Sequence, residues 1–235
     1  MSTILVSAAR SGSQLVQMSI AQHPQLKVWG EVLCDVAAGY SDEMRDFVKD
    51  WCGYRIASRS DPVDKSGFGD RVAYLDAIDK HGVQFYKLLY SHMNPRVSRW
   101  SKTQNVIHLV RENPLAVAAS NVLAKQAKQW NTPVGQTPPD HKPVNIRPAD
   151  VRMFRRLQER HRQRYWYALT IQYGELVSDW DGTMRRIQRA AGVTPIELPP
   201  VLTKSVRRPL RELIANVDEL EAAGFGEYLD ERGIA

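Results

Sequence analysis

The sequence predicts an α/β fold in three layers, with helices on both faces of a mainly parallel central sheet. Short apolar segments typical of buried strands occur near residues 4–6, 83–90 and 106–110. The first and the third are each followed by a polar turn and a helical pattern, as in the units that build parallel sheets. The chain has 235 residues, of which 43% are hydrophobic, so it can bury one sizeable core and we expect a single domain over 1–235.

Helices in the first half of the chain are predicted from apolar periodicity and from proline. The first helix follows the turn after residue 6 and ends at His23-Pro24, because proline cannot continue a helix. Asp42 to Cys52 carries the pattern of an amphipathic helix. Residues 53–70 are polar and contain glycine and aspartate, which predicts a surface loop.

The second half of the chain continues the alternation of helices and strands. A helix over 114–129 begins with a proline, whose missing N–H costs nothing at that position. Residues 131–150 contain five prolines and no periodicity, which predicts a long loop. Further elements are a basic helix over 149–168, a strand over 169–173, a helix over 181–191 and a helix over 209–220.

The turn after the first strand is built to bind an anion. The apolar segment Ile4-Leu5-Val6 leads into the small turn Ser11-Gly12-Ser13, which opens a helix. Backbone N–H groups of such a turn converge on an anion, and the helix dipole favours its negative charge. The lysine of Gly-x-x-x-x-Gly-Lys-Ser/Thr is absent, so an ordinary ATP- or GTP-binding loop does not fit, and Arg10 supplies a cation instead.

Charge and cysteine content restrict the class of protein. The net charge of +6 suits nucleic acid, but it equally suits an enzyme whose cofactor carries several negative charges. Cys34 and Cys52 are too few for a disulfide framework and match no zinc spacing, which favours a reducing, cytoplasmic compartment. The first apolar run lacks a basic region before it, and no stretch reaches the roughly 18 apolar residues of a membrane span. We therefore expect neither a signal peptide nor a membrane span.

The turn and a second segment together resemble the nucleotide sites of sulfotransferases, which use 3′-phosphoadenosine-5′-phosphosulfate (PAPS). The second segment is Val106-Ile107-His108-Leu109-Val110-Arg111-Glu112-Asn113-Pro114, followed by Ser120 nine residues after the arginine. The resemblance extends through His23-Pro24, Gly30-Glu31, Trp130 and Tyr173-Gly174-Glu175-Leu176. The resemblance covers most of the chain except 131–150. Within the family, the chain most resembles bacterial sulfotransferases that act on carbohydrates or lipids, which implies their P-loop-like architecture.

The resemblance implies a set of cofactor-binding residues. The first turn would hold the 5′-phosphosulfate, and the arginine and serine of the second segment would hold the 3′-phosphate. Gln14 stands where the family usually has a hydroxyl, although its amide can still donate to a phosphate oxygen. The residues so implied are Arg10, Ser11, Gly12, Ser13, Gln14, Arg111, Ser120 and, in the C-terminal segment, Lys204 with Arg207 and Arg208.

Transfer to an acceptor hydroxyl also needs positioned cations and a base. Arg10 is the candidate for stabilising charge on the leaving group. In related bacterial enzymes a glutamate after the first helix is regarded as the base, which makes Glu31 the candidate base here. His108 is the second choice, with a buried core histidine as its alternative interpretation. Lys87 could reach the sulfate or the acceptor, or be a solvated lysine at a strand edge. Trp130 could stack on adenine or a sugar, with core packing as its alternative interpretation, and 131–150 is expected to form a lid over the acceptor.

Two other functions compete with sulfuryl transfer. A nucleotide-dependent kinase with a degenerate phosphate loop would bind ATP with magnesium, whereas PAPS chemistry needs no metal. A basic protein that binds nucleic acid would show a steep dependence on salt and no affinity for the desulfonated product PAP. Six arginines lie around the predicted basic helix: Arg152, Arg155, Arg156, Arg160, Arg162 and Arg164. They can form a solvated face, bind an anionic acceptor or contact a partner, and the sequence does not decide among these roles.

Overall fold

The central strand β1 (Thr3–Ser7) is buried along its whole length, and the other strands of the main sheet are arranged around it. It pairs in parallel with β3 (Phe85–Leu89) on one side and β4 (Asn105–Val110) on the other. The edge strands β2 (Val28–Glu31) and β6 (Leu169–Gln172) pair in parallel with β3 and β4. The strand order is therefore β2-β3-β1-β4-β6. The computed structural model describes residues 1–34, 40–53, 68–164, 167–203 and 208–230.

Helices connect these strands. In the first half of the chain they are α1 (Ser13–Ile20), α2 (Asp42–Cys52), α3 (Arg71–Lys80), α4 (Pro95–Ser101) and α5 (Pro114–Ala127). In the second half they are α6 (Pro148–Arg164), α7 (Tyr173–Ser178), α8 (Trp180–Ala190), α9 (Leu210–Leu213) and α10 (Val217–Ala222). Short 3₁₀ turns occur at Tyr90–His92 and Gly226–Tyr228, and β5 (Thr132–Pro133) forms a small antiparallel pair with β7 (Leu202–Thr203).

Two apolar cores lie on opposite faces of the sheet. Successive side chains of a strand point to opposite faces, so Ile4 and Val6 pack in one core while Leu5 packs in the other. The first core contains buried residues of α2 to α6, and the second contains buried residues of α1 and α8. These two cores and the parallel sheet confirm the predicted three-layer α/β fold.

The predicted helix over 209–220 is wrong, because the chain there forms two short helices. Between α9 and α10 the backbone of Ile214 is extended, with φ of −111° and ψ of 122°, and forms a parallel bridge with Val144. The side chain of Asn216 accepts from the N–H of Ile146 over 2.9 Å and donates to its carbonyl over 3.0 Å. Pairing with residues 144–146 therefore overrides the helical periodicity of this segment.

The proline-rich segment 131–150 is held to the rest of the chain at two places. Near its start β5 pairs with β7, and further on the buried side chains of Val144 and Ile146 join the first core. Its role as a lid remains a prediction. Residues 54–67, most of the predicted loop over 53–70, lie outside the described residues. Within the described ranges, no helix is both long enough and apolar enough to cross a membrane.

Candidate functional site

Most of the predicted site residues lie at the carboxyl edge of the sheet. All five strands run in the same direction, so the segments that follow them meet at one edge. The turn with Arg10 follows β1, and Arg111 follows β4 directly. Lys87 lies on β3 and Glu31 ends β2, and the two residues are partners in the sheet register. In open parallel sheets this edge is where ligands bind.

The turn between β1 and α1 exposes backbone donors and strains one residue. Arg10 has φ of 65° and Gly12 has φ of 85°, so two left-handed residues flank Ser11. Left-handed backbone costs a non-glycine residue on the order of 1–2 kcal/mol, and such strain clusters at functional sites. No side chain caps α1, which leaves its first-turn N–H groups available to a ligand. The turn therefore has the form of a backbone nest for an anion.

Ser11 adds an unsatisfied hydroxyl to this nest. Its side chain is fully buried, and its Oγ has no hydrogen-bond partner among the residues that the structure describes. A buried polar group without a partner costs about 1–3 kcal/mol, which is why such groups point to an unseen ligand or water. A ligand oxygen at the turn would satisfy this hydroxyl.

Gly12 packs directly against Tyr173. A Cβ atom at Gly12 would lie 2.8 Å from Cε2 of Tyr173, closer than van der Waals contact allows. The ring of Tyr173 also contacts a cation, since the guanidinium carbon of Arg111 lies 4.6 Å from its centre. Tyr173 thus links the turn after β1 to the arginine after β4.

Arg10 reaches across the sheet edge to two residues that follow the second segment in the chain. Its Nε donates to Oγ of Ser120 over 3.1 Å, and its Nη1 donates to the carbonyl of Trp130 over 2.6 Å. The Trp130 ring lies 5.7 Å from the guanidinium carbon and is 48% exposed, so one face of the site is an accessible aromatic surface. The fold therefore brings Arg10, Ser120 and Trp130 together.

Two arginines lie close together in this region. Nη1 of Arg111 donates to the carbonyl of Arg10 over 3.0 Å, and Arg111 is itself buried. Burial, and then the charge of Arg111, lower the pKa of Arg10 to about 10. No carboxylate is paired with Arg10 within the described part of the chain. A bound anion would relieve the repulsion between the two cations.

A second polar cluster lies beside the turn. Nζ of Lys87 donates to Oε1 of Gln14 over 3.0 Å and lies 3.3 Å from Oε2 of Glu31. Lys87 is buried, and 20% of the Glu31 side chain is exposed. Gln14 also donates to Oε1 of Gln17 over 3.0 Å, which fixes the orientation of its amide. Lys87 thus lies between the candidate base and the start of α1.

His92 belongs to this cluster, although the sequence analysis did not select it. Its Nδ1 accepts from the N–H of Leu89 over 3.1 Å, so in the neutral ring the proton lies on Nε2. Nε2 lies 3.7 Å from Oε1 of Glu31. The signal available in the sequence was a histidine shortly after a predicted strand that carries a lysine, five residues from Lys87.

His108 lies elsewhere, in a buried aromatic group on the first-core face of the sheet. Its Nε2 is 2.6 Å from Oη of Tyr90, and its ring stacks on Tyr167 at 4.1 Å between centroids. Burial lowers the pKa of His108 to about 3, and the nearby His161 contributes in the same direction. These contacts match the alternative interpretation of His108 as a core histidine.

Lys204 and Arg207 lie outside the described residues. Arg208 donates to the carbonyl of His141 over 3.1 Å and pairs with Glu212 over 3.2 Å.

No protein-family model matches this chain, and no curated protein sequence matches it. Solved structures that are similar to it include two sulfotransferase domains. The sulfotransferase domain of the Synechococcus PCC 7002 olefin synthase shares 16% identity over 83% of this chain and 74% of that chain, with a TM-score of 0.45. The sulfotransferase domain from the curacin biosynthetic pathway shares 15% identity over 83% and 74%, with a TM-score of 0.44. The roles of the residues in this chain rest on its own geometry.

Proposed function

We propose that this protein transfers a sulfuryl group from PAPS to a hydroxyl of a carbohydrate, lipid or small-molecule acceptor. One observation carries the proposal: Arg10 of the anion-binding turn and Ser120 of the second segment are hydrogen-bonded over 3.1 Å, with Arg111 beside them. A cofactor with phosphate groups at two positions requires two adjacent anion sites. The turn after β1 and the pair after β4 supply them.

The residues at the turn fit the 5′ side of PAPS. The uncapped N–H groups of α1 and the buried hydroxyl of Ser11 offer donors to an oxyanion, and Arg10 adds a positive charge. Arg111 and Ser120 are assigned to the 3′-phosphate, and the exposed ring of Trp130 to stacking on adenine or a sugar. When bound, PAPS supplies the sulfuryl group, whose bond to the phosphate oxygen breaks as a bond to the acceptor oxygen forms.

We assign Glu31 as the base that takes the proton from the acceptor hydroxyl. Its carboxylate lies at the end of β2 beside the turn, where a hydroxyl could approach, and Lys87 lies 3.3 Å from it. Lys87 also contacts Gln14, so its charge is positioned between the base and the anion-binding turn. That position suits stabilisation of the negative charge that develops on the leaving phosphate. His92 orients Glu31 from the other side.

Calorimetry with PAP tests the class of protein directly. We expect PAP to bind at least tenfold more tightly than ADP, because only PAP carries the 3′-phosphate, and to bind without magnesium. Equal affinity for PAP and ADP would remove the 3′-phosphate assignment, and binding of ATP that depends on magnesium would favour the kinase. Steeply salt-dependent binding of an oligonucleotide without PAP affinity would favour a nucleic-acid-binding protein.

A further inference from the structure

A groove between α4 and α6 carries positive charge that the proposed PAPS site does not use. Its volume is about 370 Å³, in the range of sites for small organic ligands. The residues that line it include Tyr90, Met93, Arg99, Lys102, Arg160 and His161. The groove lies on the first-core face of the sheet, since Tyr90 and Met93 belong to that core.

The inner wall of the groove is aromatic and uncharged near neutral pH. Tyr90 and His161 are buried and stack on each other, with their ring centres 3.9 Å apart and an angle of 10° between the rings. Burial, and then the charge of Arg160, lower the pKa of His161 to about 4, so its ring is neutral at pH 7. Such a surface suits a ring or another apolar part of a ligand.

The rim of the groove is cationic. Arg99 and Lys102 lie on and just after α4, and Arg160 lies opposite them on α6, all three exposed. None of the three forms an ion pair with a carboxylate in the described ranges, whereas Arg155 on the same helix lies near Glu159. Three unneutralised cations around one concave site favour a ligand with a negative charge.

The groove adjoins the proposed transfer site through one turn of the chain. The 3₁₀ turn Tyr90–His92 carries Tyr90, which lines the groove, and His92, whose Nε2 lies 3.7 Å from the Glu31 carboxylate. The same turn therefore borders both the groove and the candidate base. An acceptor held in the groove would have to extend past this turn for its hydroxyl to meet Glu31.

We propose that this groove is the subsite for an acidic group of the acceptor, which is then an anionic molecule with a sugar or aromatic ring. This inference rests on the proposed function and specifies its acceptor. Arg99, Lys102 and Arg160 bind the carboxylate, sulfate or phosphate of the acceptor, and the Tyr90–His161 pair packs against its ring. A small ligand is favoured over a nucleic acid because the site is concave and its volume suits one or two rings.

Two glycosides of the same shape test the proposal. The probes are p-nitrophenyl β-D-glucuronide, which carries a carboxylate, and p-nitrophenyl β-D-glucoside, which does not. We expect the glucuronide to bind at least tenfold more tightly to the full chain by calorimetry. Glucoside binding that equals glucuronide binding would overturn the subsite.

Matched double variants separate the groove from the general charge of the protein. Arg99→Gln with Arg160→Gln removes two exposed cations at the groove, and Arg185→Gln with Arg189→Gln removes two exposed cations from α8 on the opposite face. The groove variant should weaken glucuronide binding about tenfold, and the α8 variant less than twofold. Equal weakening by both would mean that net charge alone attracts the probe, which would overturn the proposal.

Two further measurements distinguish this inference from the proposed function. Neither double variant should change PAP affinity by more than twofold, because neither pair of arginines belongs to the proposed PAPS site. If the parent protein fails to bind PAP, the proposed function is overturned, but the comparison of the two glycosides still tests the groove. With PAPS present, the groove variant should raise KM for the glucuronide and leave kcat unchanged. A ten-nucleotide thymidine strand that binds more tightly than the glucuronide, and is weakened by the groove variant, would assign the groove to nucleic acid instead.

Discussion

Arg10 donates a hydrogen bond to Ser120 across 110 positions of the chain, and this contact joins the two strand-turn-helix units of the fold. It exists because β1 and β4 are neighbours in the sheet, so the turn after one and the helix after the other meet at the same edge. Arg111, which donates to the carbonyl of Arg10, lies at the same edge and is a further hydrogen-bond donor. The proposed cofactor site is thus a consequence of strand order.

Substitution of Arg111 tests the 3′-phosphate assignment. Arg111→Lys keeps the charge but loses the planar fork that matches phosphate oxygens. We expect PAP affinity to fall about tenfold or more, the effect of losing a charge-assisted contact of roughly 1.5–3 kcal/mol, while ADP affinity changes less than threefold. Isothermal calorimetry measures both ligands. Arg156→Gln, an exposed arginine on α6, is the control, and equal losses for PAP and ADP would contradict the assignment.

Arg10 is predicted to act on the developing charge of the leaving group. Arg10→Ala removes a cation that is held by Ser120 and by the Trp130 carbonyl beside the anion-binding turn. Turnover of PAPS with a surrogate acceptor should fall by roughly 10²-fold or more, the usual effect of losing one transition-state donor. A turnover within about threefold of the parent protein would give Arg10 a structural role.

The contact between Gly12 and Tyr173 predicts a steric effect that a second glycine can isolate. Both Gly12 and Gly82 have positive φ, of 85° and 83°, but a Cβ at Gly82 would meet no atom within 4 Å. Gly82→Ala therefore measures the cost of the backbone conformation alone, about 1–2 kcal/mol. Gly12→Ala adds a clash at 2.8 Å with Tyr173. We expect it to lower the free energy of unfolding by roughly a further 1–3 kcal/mol.

Urea unfolding measures both variants, and PAP titration follows the site. Gly12→Ala should also reduce PAP affinity, since a displaced Tyr173 no longer supports Arg111. Gly82→Ala should leave PAP affinity unchanged. Identical unfolding free energies for the two variants would show that Tyr173 moves aside at no cost.

Local patterns were sufficient to predict most of the elements and the place of the turn between β1 and α1. The apolar run before Ser11-Gly12-Ser13 and the proline that starts α5 are short-range signals, and the structure has β1, α1 and α5 at those places. Periodicity failed at 209–220, where Asn216 pairs with the backbone of Ile146, a contact between distant parts of the chain. No local pattern reveals such a partner.

The dependence on contacts between distant residues also explains why the sequence does not predict the whole site. Lys87 and Glu31 were selected separately, but their proximity depends on the pairing of β2 with β3. His92 became a candidate only because its ring faces that pair. His108 had an alternating pattern that fits both a site and a core, and only the contacts with Tyr90 and Tyr167 distinguish them.

The buried imidazoles predict a loss of stability in mild acid. The folded-state pKa is about 3 for His108 and about 4 for His161, whereas the unfolded chain has the ordinary value near 6.5. The unfolded state therefore binds more protons below pH 6.5, and the free energy of unfolding falls as the pH drops from there towards 4. The slope approaches about 1.4 kcal/mol per pH unit for each group.

Urea unfolding at pH 7 and pH 5 checks this slope. His108→Gln keeps an amide that can bond to Tyr90 and removes one titrating ring, so the difference between the two pH values should shrink. Lys125→Gln, which replaces an exposed side chain of α5, is the control and should leave the difference nearly as in the parent protein. An unchanged difference in His108→Gln would mean that His108 does not resist protonation in the folded state.

Glu31 is predicted to be the base that takes the acceptor's proton. Glu31→Gln keeps the shape of the side chain and removes its basicity, so PAP affinity should stay within about threefold while the sulfuryl-transfer rate falls by about 10² to 10⁴. The acidic limb of the pH-rate profile should disappear in the same variant, because a glutamine has no proton to lose. Single-turnover rates with PAPS between pH 4 and 8 measure both effects.

Two histidine variants decide between Glu31 and its competitors. His92→Asn removes the ring that faces Oε1 of Glu31, so it should slow transfer by about tenfold and leave the acidic limb in place, as expected for a positioning residue. His108→Asn should leave the transfer rate within about threefold, since the ring contacts Tyr90 and Tyr167 in the core. Loss of the acidic limb in His92→Asn, with Glu31→Gln fully active, would make His92 the base. The same pattern in His108→Asn would return the role to His108.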